Sequence, residues 1–163
     1  ALILICFSAA WAAYNATATI SVTIGDNAAA VEAQGSLTLE NLARDAWFTR
    51  ELKEVFTIRN ISVDSFNVRI IWLNAPELVD DFKTLNMEVT VVSRTRATYS
   101  TVSGPRFLSL GAGTGEVLLP VKVPSGVTTL YVNVKVYGYV SPNAANSVDI
   151  RLQCFVEQAG SLK

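Results

Sequence analysis

Apolar and polar residues alternate with a period of two along most of the chain after residue 15, a pattern typical of half-buried β-strands. The clearest run is 130–140, where mainly leucine and valine at even positions alternate with tyrosine, asparagine and lysine at odd positions. Turn residues such as Gly25-Asp26-Asn27 and Pro124-Ser125-Gly126 separate the runs. About nine short strands are predicted in this way, which indicates an all-β fold, an antiparallel β-sandwich or jelly roll.

The region 40–55 is the least strand-like part of the chain. Its apolar residues have the spacing of a helix, and charged residues fill the gaps between them. This spacing favours a short helix or an irregular connection, and the residues with helical spacing are Leu39, Leu42, Ala43, Ala46 and Trp47.

Three further patterns predict how the strands are connected. The runs 55–60 and 66–72 are joined by a short link, so we expect them to pair as a hairpin. The runs 97–102 and 107–110 predict two short strands around a turn that contains glycine and proline. Pro120 interrupts another alternating run, and because proline cannot donate to a ladder, that strand is expected at a sheet edge or a bulge.

The first fourteen residues differ from the rest because they contain no charged side chain; the first charge is Asp26. From Leu2 to Phe7, both faces of an extended chain would be apolar, as in a strand buried between two layers. A helix over 1–14 would span about 21 Å, which is too short for a bilayer core of about 30 Å. We therefore expect a buried strand. A pilin-type or membrane helix and a residual secretory segment are the open alternatives.

The composition narrows the function classes. The chain of 163 residues is 50% hydrophobic and only 17% charged, which indicates apolar surface that partners cover. It contains no histidine, so Ser-His-Asp and Cys-His catalysis and the histidine-containing zinc sites are excluded. The net charge is −1, and lysine and arginine are scattered singly, so we expect no nucleic-acid partner. We expect a protein that is not an enzyme and holds no cofactor or metal.

Several side chains are candidates for covalent or binding chemistry. Cys6 and Cys154 both fall on apolar positions; they are either two buried thiols or a disulfide, within or between subunits, formed in an oxidising exterior. The triplets that begin at Asn15 and Asn60 match the acceptor pattern for N-glycosylation. Three tyrosines would either form a platform for sugars or partners or only stiffen an outer sheet face: Tyr131, Tyr137 and Tyr139.

The order of three segments resembles the TasA/camelysin group of secreted biofilm-matrix proteins, and in particular the related archaeal bundling pilins. A threonine-rich strand lies between the first and second of them. Glycosylated archaeal thread filaments have a similar plan. The match covers about the first 72 residues and departs from the pattern at Gln34 and in 40–54, which lacks a Pro-Gly-Asp turn. The segments are Ala9-Ala10-Trp11-Ala12-Ala13-Tyr14, Gln34-Gly35-Ser36-Leu37-Thr38-Leu39 and Phe56-Thr57-Ile58-Arg59-Asn60.

The resemblance implies a jelly-roll subunit that polymerises head to tail by donor-strand complementation, with bundling between filaments for cell adhesion. It divides the chain into a donor strand and crossing segment, 1–14, and a pilin domain, 15–163. It also implies a place outside the cell after removal of a signal peptide, with other copies of the chain as partners and no membrane in the mature form. The implied donor-strand residues are Leu2, Ile3, Leu4, Ile5, Cys6, Phe7 and Trp11.

Two alternatives belong to other classes. One is a type IV pilin-like subunit with an N-terminal helix in the filament core, although Ile5 stands where such pilins usually carry glutamate. The other is a surface-anchored β-sandwich module that binds carbohydrate.

Overall fold

The computed structural model of the chain describes residues 18–21, 31–111 and 115–158. This part of the chain forms β-strands and one short 3-10 helix at Ala75–Leu78. None of the helical structure in these ranges is long and apolar enough to cross a membrane. The strands are β1 Ala18–Ser21, β2 Val31–Glu40, β3 Ala46–Arg59, β4 Ser65–Trp72, β5 Phe82–Thr95, β6 Thr98–Ser109, β7 Glu116–Lys122, β8 Leu130–Val140 and β9 Ser147–Gln158.

The strands form two sheets that pack face to face. Sheet A has the order β1-β3-β8-β5-β6, and sheet B has the order β2-β9-β4-β7. All strand pairs are antiparallel except β1 and β3, which are parallel. From β2 onward, consecutive strands lie in opposite sheets except for β5 and β6, as in a jelly roll. The predicted all-β sandwich is confirmed, whereas the predicted N-terminal donor strand lies outside the described residues.

The apolar core lies between the two sheets, because alternate residues of each strand point inward. Strand β8, in the middle of sheet A, shows this most clearly: its even residues are buried and its odd residues are partly exposed. Large side chains from both sheets fill the core, among them Phe56, Phe66, Ile70, Met87 and Leu119. The sharp alternation of burial explains why the sequence pattern identified these strands.

Two predictions that concern β3 are wrong. Region 40–55 is not helical, because β3 begins at Ala46 and continues to Arg59; its pairing with β8 outweighs the helical spacing of its apolar residues. The runs 55–60 and 66–72 do not form a hairpin, because β3 belongs to sheet A and β4 to sheet B. The short link between them, which begins at Asn60 with φ 55°, crosses from one sheet to the other.

The proline-containing strands lie at sheet edges. Strand β7 is an edge strand of sheet B, which confirms the prediction from Pro120. The two strands predicted at 97–102 and 107–110 form one strand, β6, which continues through Pro105. Because β6 is the edge strand of sheet A, the missing N–H of Pro105 does not interrupt the interior of the sheet.

Candidate functional site

The two long sides of the sandwich differ. On one side, which we call the closed side, edge strands β6 and β7 contact each other. Their approach is close: a Cβ atom on Gly104 of β6 would lie 3.0 Å from Cδ2 of Leu119 on β7. On the opposite side, which we call the open side, the edges are β2 and β3, and the short strand β1 contacts both. The open side is therefore where the described sheets leave backbone available.

Strand β2 presents the longest regular edge of the open side. It pairs with β9 at every position from Val31 to Glu40, and no described strand pairs with its other edge. Ten residues at about 3.4 Å each give an edge of about 34 Å. The unpaired N–H and C=O groups of such an edge form a template for another extended chain.

The inward face of β2 is small at one end of the strand. Leu37 and Leu39 are buried, with 1% and 2% of their surface exposed, but Ala33 and Gly35 on the same face are only partly buried. Ala33 and Gly35 lie beside Cys154 and Leu152 of β9, both of which are fully buried. The core-facing side chains of β2 are therefore small at this end of the edge, and we call this part of the core shallow.

Strand β3, the other edge of the open side, is less suited to receive a strand. Its register with β8 shifts between Leu52 and Phe56, which marks a bulge. Glu54 within the bulge has φ 57°, and its backbone N–H donates to the side-chain oxygen of Asn133 at 2.8 Å. Charged residues surround the bulge, including Arg50 and Lys53. Bulges and charges are devices that protect an edge from pairing.

Strand β1 already occupies one end of the β3 edge. Its residues Ala18 to Ser21 pair in parallel with Phe56 to Arg59. The remaining edge of β3, from Ala46 to the bulge, carries the charges described above. Among the described edges of the open side, β2 is thus the regular one, which β1 contacts but does not pair with. We call this edge with Ala33 and Gly35 the acceptor edge.

Most of the residues predicted for a subunit contact lie outside the described ranges. These are the donor-strand residues from Leu2 to Phe7, which include Cys6, together with Trp11 and the glycosylation acceptor Asn15. The structure therefore does not test these assignments, and they stay predictions. Of the residues predicted for a disulfide or for glycosylation, Cys154 and Asn60 are described.

Cys154 is fully buried in β9. It has no disulfide partner among the described residues. Burial raises the pKa of its thiol well above the ordinary value, so the thiol stays protonated and unreactive near neutral pH. Its neighbours in the sheet are Ala33 on one side and Ile70 on the other.

This position limits how Cys6 of another copy could bond to Cys154. A disulfide joins Cα atoms about 4.4–6.8 Å apart. A strand added beside β2 would lie two strand spacings, about 9.6 Å, from β9. A bond to Cys154 thus requires Cys6 to enter between the sheets, so pairing along the acceptor edge favours the interpretation of two buried thiols.

Asn60 lies at an exposed turn between β3 and β4. Its backbone is left-handed, with φ 55°, a conformation that asparagine tolerates well. The next residue, Ile61, is buried, and its N–H donates to the carbonyl oxygen of Thr128 at 3.0 Å. The turn therefore presents the Asn60 side chain to solvent on a fixed backbone, as a glycosylation acceptor requires, and the modification itself stays a prediction.

Sequence patterns did not identify the acceptor residues. Ala33 and Gly35 have low β-strand propensity, so the sequence does not mark them. Their importance comes from the edge position of β2. That position depends on pairing with β9, which lies more than 100 residues away in the sequence. The hydrogen bond from the Thr38 hydroxyl to Asp149 joins residues that are 111 positions apart. Trp47 was assigned to a helical face, but it is 74% exposed on β3.

In the described ranges, no group of three or more His, Cys, Asp or Glu side chains is arranged to hold a metal ion. The carboxylates near the 3-10 helix make protein contacts instead. Glu77 pairs with Arg151 at 2.8 Å, and Asp81 accepts a hydrogen bond from the backbone N–H of Ala145 at 3.1 Å.

No protein-family model and no curated protein matches the sequence. The chain is similar to the solved structure of Aeromonas hydrophila PliG, a periplasmic inhibitor of g-type lysozyme, with 13% identity, 86% of this chain and 96% of that chain covered, and a TM-score of 0.37. It is also similar to the Triatoma virus empty capsid, with 12% identity, 79% and 87% covered, and a TM-score of 0.38. A Bacillus endospore appendage from a family of disulfide-linked pili has 11% identity, 85% and 98% covered, and a TM-score of 0.29. Likenesses this weak decide neither family nor function.

Proposed function

We propose that the protein is a structural, non-enzymatic subunit of an extracellular filament that polymerises head to tail by donor-strand complementation. The segment Leu2 to Phe7 of one copy pairs with the acceptor edge of the next copy. One observation carries this proposal: β2 is a regular edge of ten residues, no described strand pairs with its outer side, and its core-facing residues at one end are the small Ala33 and Gly35.

The chemistry of the donor segment suits this edge. Its backbone would complete the ladder that β2 leaves open, which supplies affinity, and alternate side chains would fill the shallow core, which supplies specificity. Three apolar side chains on one face, at about 1.5–3 kcal/mol each, would contribute about 5–9 kcal/mol. The cost of ordering and association is subtracted from this gross value.

This mode of contact generates a filament. The donor segment and the acceptor edge are different surfaces of the same chain, so the contact is heterologous. A heterologous contact that does not close into a ring continues indefinitely. Bundling between neighbouring filaments, and an extracellular location after signal-peptide removal, belong to the proposal and rest on the sequence resemblance.

Deletion of Ala1 to Ala13 tests the proposal. Purified full-length protein should form filaments visible by negative-stain electron microscopy, and the deleted protein should form none. A synthetic peptide of residues 1–14 should bind the deleted protein and raise its melting temperature, whereas a scrambled peptide should not. Filaments from the deleted protein would contradict the proposal.

The same experiment separates the alternatives. A type IV pilin-like subunit would also lose its filaments, but an N-terminal peptide would have no edge to complete and would not raise the melting temperature. A carbohydrate-binding module that does not polymerise would give no filaments from either protein.

A further inference from the structure

The outer face of sheet A contains a depression of about 230 Å³. It is distinct from the acceptor edge, because it belongs to the other sheet and faces solvent rather than the core. We call it the sheet A groove, and the polar side chains that line it include Glu51, Lys53, Glu88, Tyr99, Asn133 and Lys135.

The bulge of β3 forms one wall of the groove. Here the stretch between Leu52 and Phe56 lies opposite Asn133 of β8. The side-chain oxygen of Asn133 accepts the hydrogen bond from the N–H of Glu54, which fixes both the bulge and the orientation of the amide. The amide NH₂ group of Asn133 is then turned away from that bond and can donate to a ligand.

Side chains that cross the sheet close one end of the groove. Nζ of Lys53 lies 5.1 Å from the centre of the Tyr99 ring, although β3 and β6 are not neighbours. Arg94 pairs with Glu54 and lies 5.0 Å from the centre of the Tyr131 ring. The outward-facing residue Val92, which also lines the groove, is only 4% exposed. Side chains from four strands of sheet A, β3, β5, β6 and β8, therefore line a depression that stays open to solvent on its outer side.

The charges in the groove balance. Glu51 and Glu88 carry negative charge, and Lys53 and Lys135 carry an equal positive charge. An ionic ligand would meet repulsion as well as attraction in such a lining. A ligand with many hydroxyl groups suits it better, because each hydroxyl both donates and accepts hydrogen bonds.

Aromatic side chains continue from the groove along the same face. Tyr139 lies six residues after Asn133 on β8, which corresponds to about 20 Å along the strand. Trp47, directly opposite Tyr139 on β3, is 74% exposed. Their rings meet edge to face, with centroids 5.1 Å apart and an angle of 83°. The Tyr139 hydroxyl donates to Asp45 at 2.8 Å, so the aromatic pair is held in place.

The surroundings of Trp47 favour a small flat ligand over a protein. Asp45 and Lys83 flank the aromatic pair, with 3.8 Å between Lys83 Nζ and Asp45 Oδ1. A protein partner would need about 800 Å² of complementary surface, with an apolar centre, on each side. One exposed indole ring among charged residues does not offer such a centre, but it offers a flat face on which a sugar ring can stack.

We propose that the outer face of sheet A binds a neutral linear polysaccharide, with one sugar unit in the sheet A groove and another stacked on Trp47. The chain of the ligand runs along β8 between these two points. In a filament, every subunit would present one such face, and many weak contacts would add to a strong attachment. The site lies apart from the acceptor edge and does not depend on polymerisation.

Titration of the full-length protein with neutral hexasaccharides tests the proposal by isothermal calorimetry. The probes are cellohexaose, xylohexaose, mannohexaose and the corresponding disaccharides, with oligogalacturonate as the charged comparison. At least one neutral hexasaccharide should bind, and its disaccharide should bind at least tenfold more weakly because it cannot reach both points.

Two variants and one matched control assign the binding to this face. Trp47→Ala and Glu88→Ala should each weaken the hexasaccharide at least tenfold, with unchanged melting temperatures. Leu118→Ala, which removes a partly exposed apolar side chain (37%) from the outer face of sheet B, should leave the affinity unchanged.

The proposal is overturned if no neutral hexasaccharide binds, if only the charged oligosaccharide binds, or if all three variants bind as the unchanged protein does. Loss of filament bundles in Trp47→Ala without any sugar binding would also overturn it, because Trp47 would then belong to a contact between copies of the chain.

Discussion

The two sides of the sandwich solve the problem of sheet edges in different ways. On the closed side, β6 and β7 contact each other, and each contains a proline, Pro105 and Pro120. On the open side, β3 has a bulge, whereas β2 pairs with β9 without one and no described strand pairs with its outer edge. Three of the four long edges are therefore protected in ways that proteins use to avoid unwanted pairing. This contrast is the basis of our proposal that a strand of another copy pairs with β2.

The same contrast holds in the core. On the closed side, Leu108 and Leu119 are fully buried where β6 and β7 approach. At the acceptor edge, the inward positions are Ala33 and Gly35, and both are partly exposed. Burial of large side chains stabilises the subunit by itself, whereas the small residues at the acceptor edge bury little apolar surface.

The largest effect is expected from a charge placed at the acceptor edge. Ala33→Glu introduces a carboxylate at an inward position where we propose that an apolar donor side chain packs, and burial of that charge would be costly. We expect complete loss of filaments with a folded subunit, measured by electron microscopy and circular dichroism. Gln34→Glu makes a similar change one residue away on the outward, exposed face of the same strand and should leave filaments intact.

These two variants can also break the comparison. If both assemble equally well, the acceptor edge is not the contact surface. If neither variant forms filaments, assembly needs the β2 edge, but a charge on the outward face is as harmful as a charge on the inward face. That result would contradict the specific role given to Ala33.

A smaller effect is expected on the closed side. Gly104 has φ 101°, and a Cβ atom there would lie 2.9 Å from the carbonyl oxygen of Val89. Gly104→Ala should therefore lower the free energy of unfolding by about 2–4 kcal/mol, from backbone strain together with the clashes against Val89 of β5 and Leu119 of β7. Gly126→Ala is the matched control, because Gly126 has φ 79° but no atom within 4 Å of a Cβ.

Gly126→Ala should cost about 1–2 kcal/mol, the strain of a left-handed alanine alone. Urea unfolding of both variants measures the difference. Equal costs would mean that the close approach of β6 and β7 contributes nothing, and the closed side would no longer differ from the open side in packing.

The smallest effect concerns Cys154, beneath the acceptor edge. Because burial raises the pKa of its thiol, the thiolate fraction near pH 8 is far lower in the folded than in the unfolded chain. We expect iodoacetamide to leave Cys154 unmodified in filaments, and denatured filaments to run as monomers on non-reducing gels. A ladder of covalent oligomers would place Cys6 between the sheets and would contradict pairing along the edge.

The sequence predicted the parts of the fold in which the burial of a strand follows from its own alternation of apolar and polar residues. Strand β8 is the clearest, because it lies in the middle of sheet A and alternate positions must be buried. Pro120 predicted an edge correctly, because the missing N–H acts locally. These features depend on a residue and its near neighbours, so a sequence pattern can show them.

The sequence failed where distant pairing decides the outcome. The first part of β3, residues 46–54, was predicted wrongly because its edge position leaves Arg50 exposed on the core-facing side and its bulge interrupts the alternation. The hairpin between 55–60 and 66–72 was wrong because a short link can cross between sheets as easily as it can turn within one. The acceptor edge was not predicted, because the residues of β2 alone do not show whether another strand pairs with its outer edge.

A density map of the assembled filament tests the central claim most directly. We expect extended density for Leu2 to Phe7 of one copy, hydrogen-bonded along the outer edge of β2 in the next copy, with side chains above Ala33 and Gly35. Helical density for residues 1–14 in the filament core, or a β2 edge that contacts no other subunit, would contradict the account.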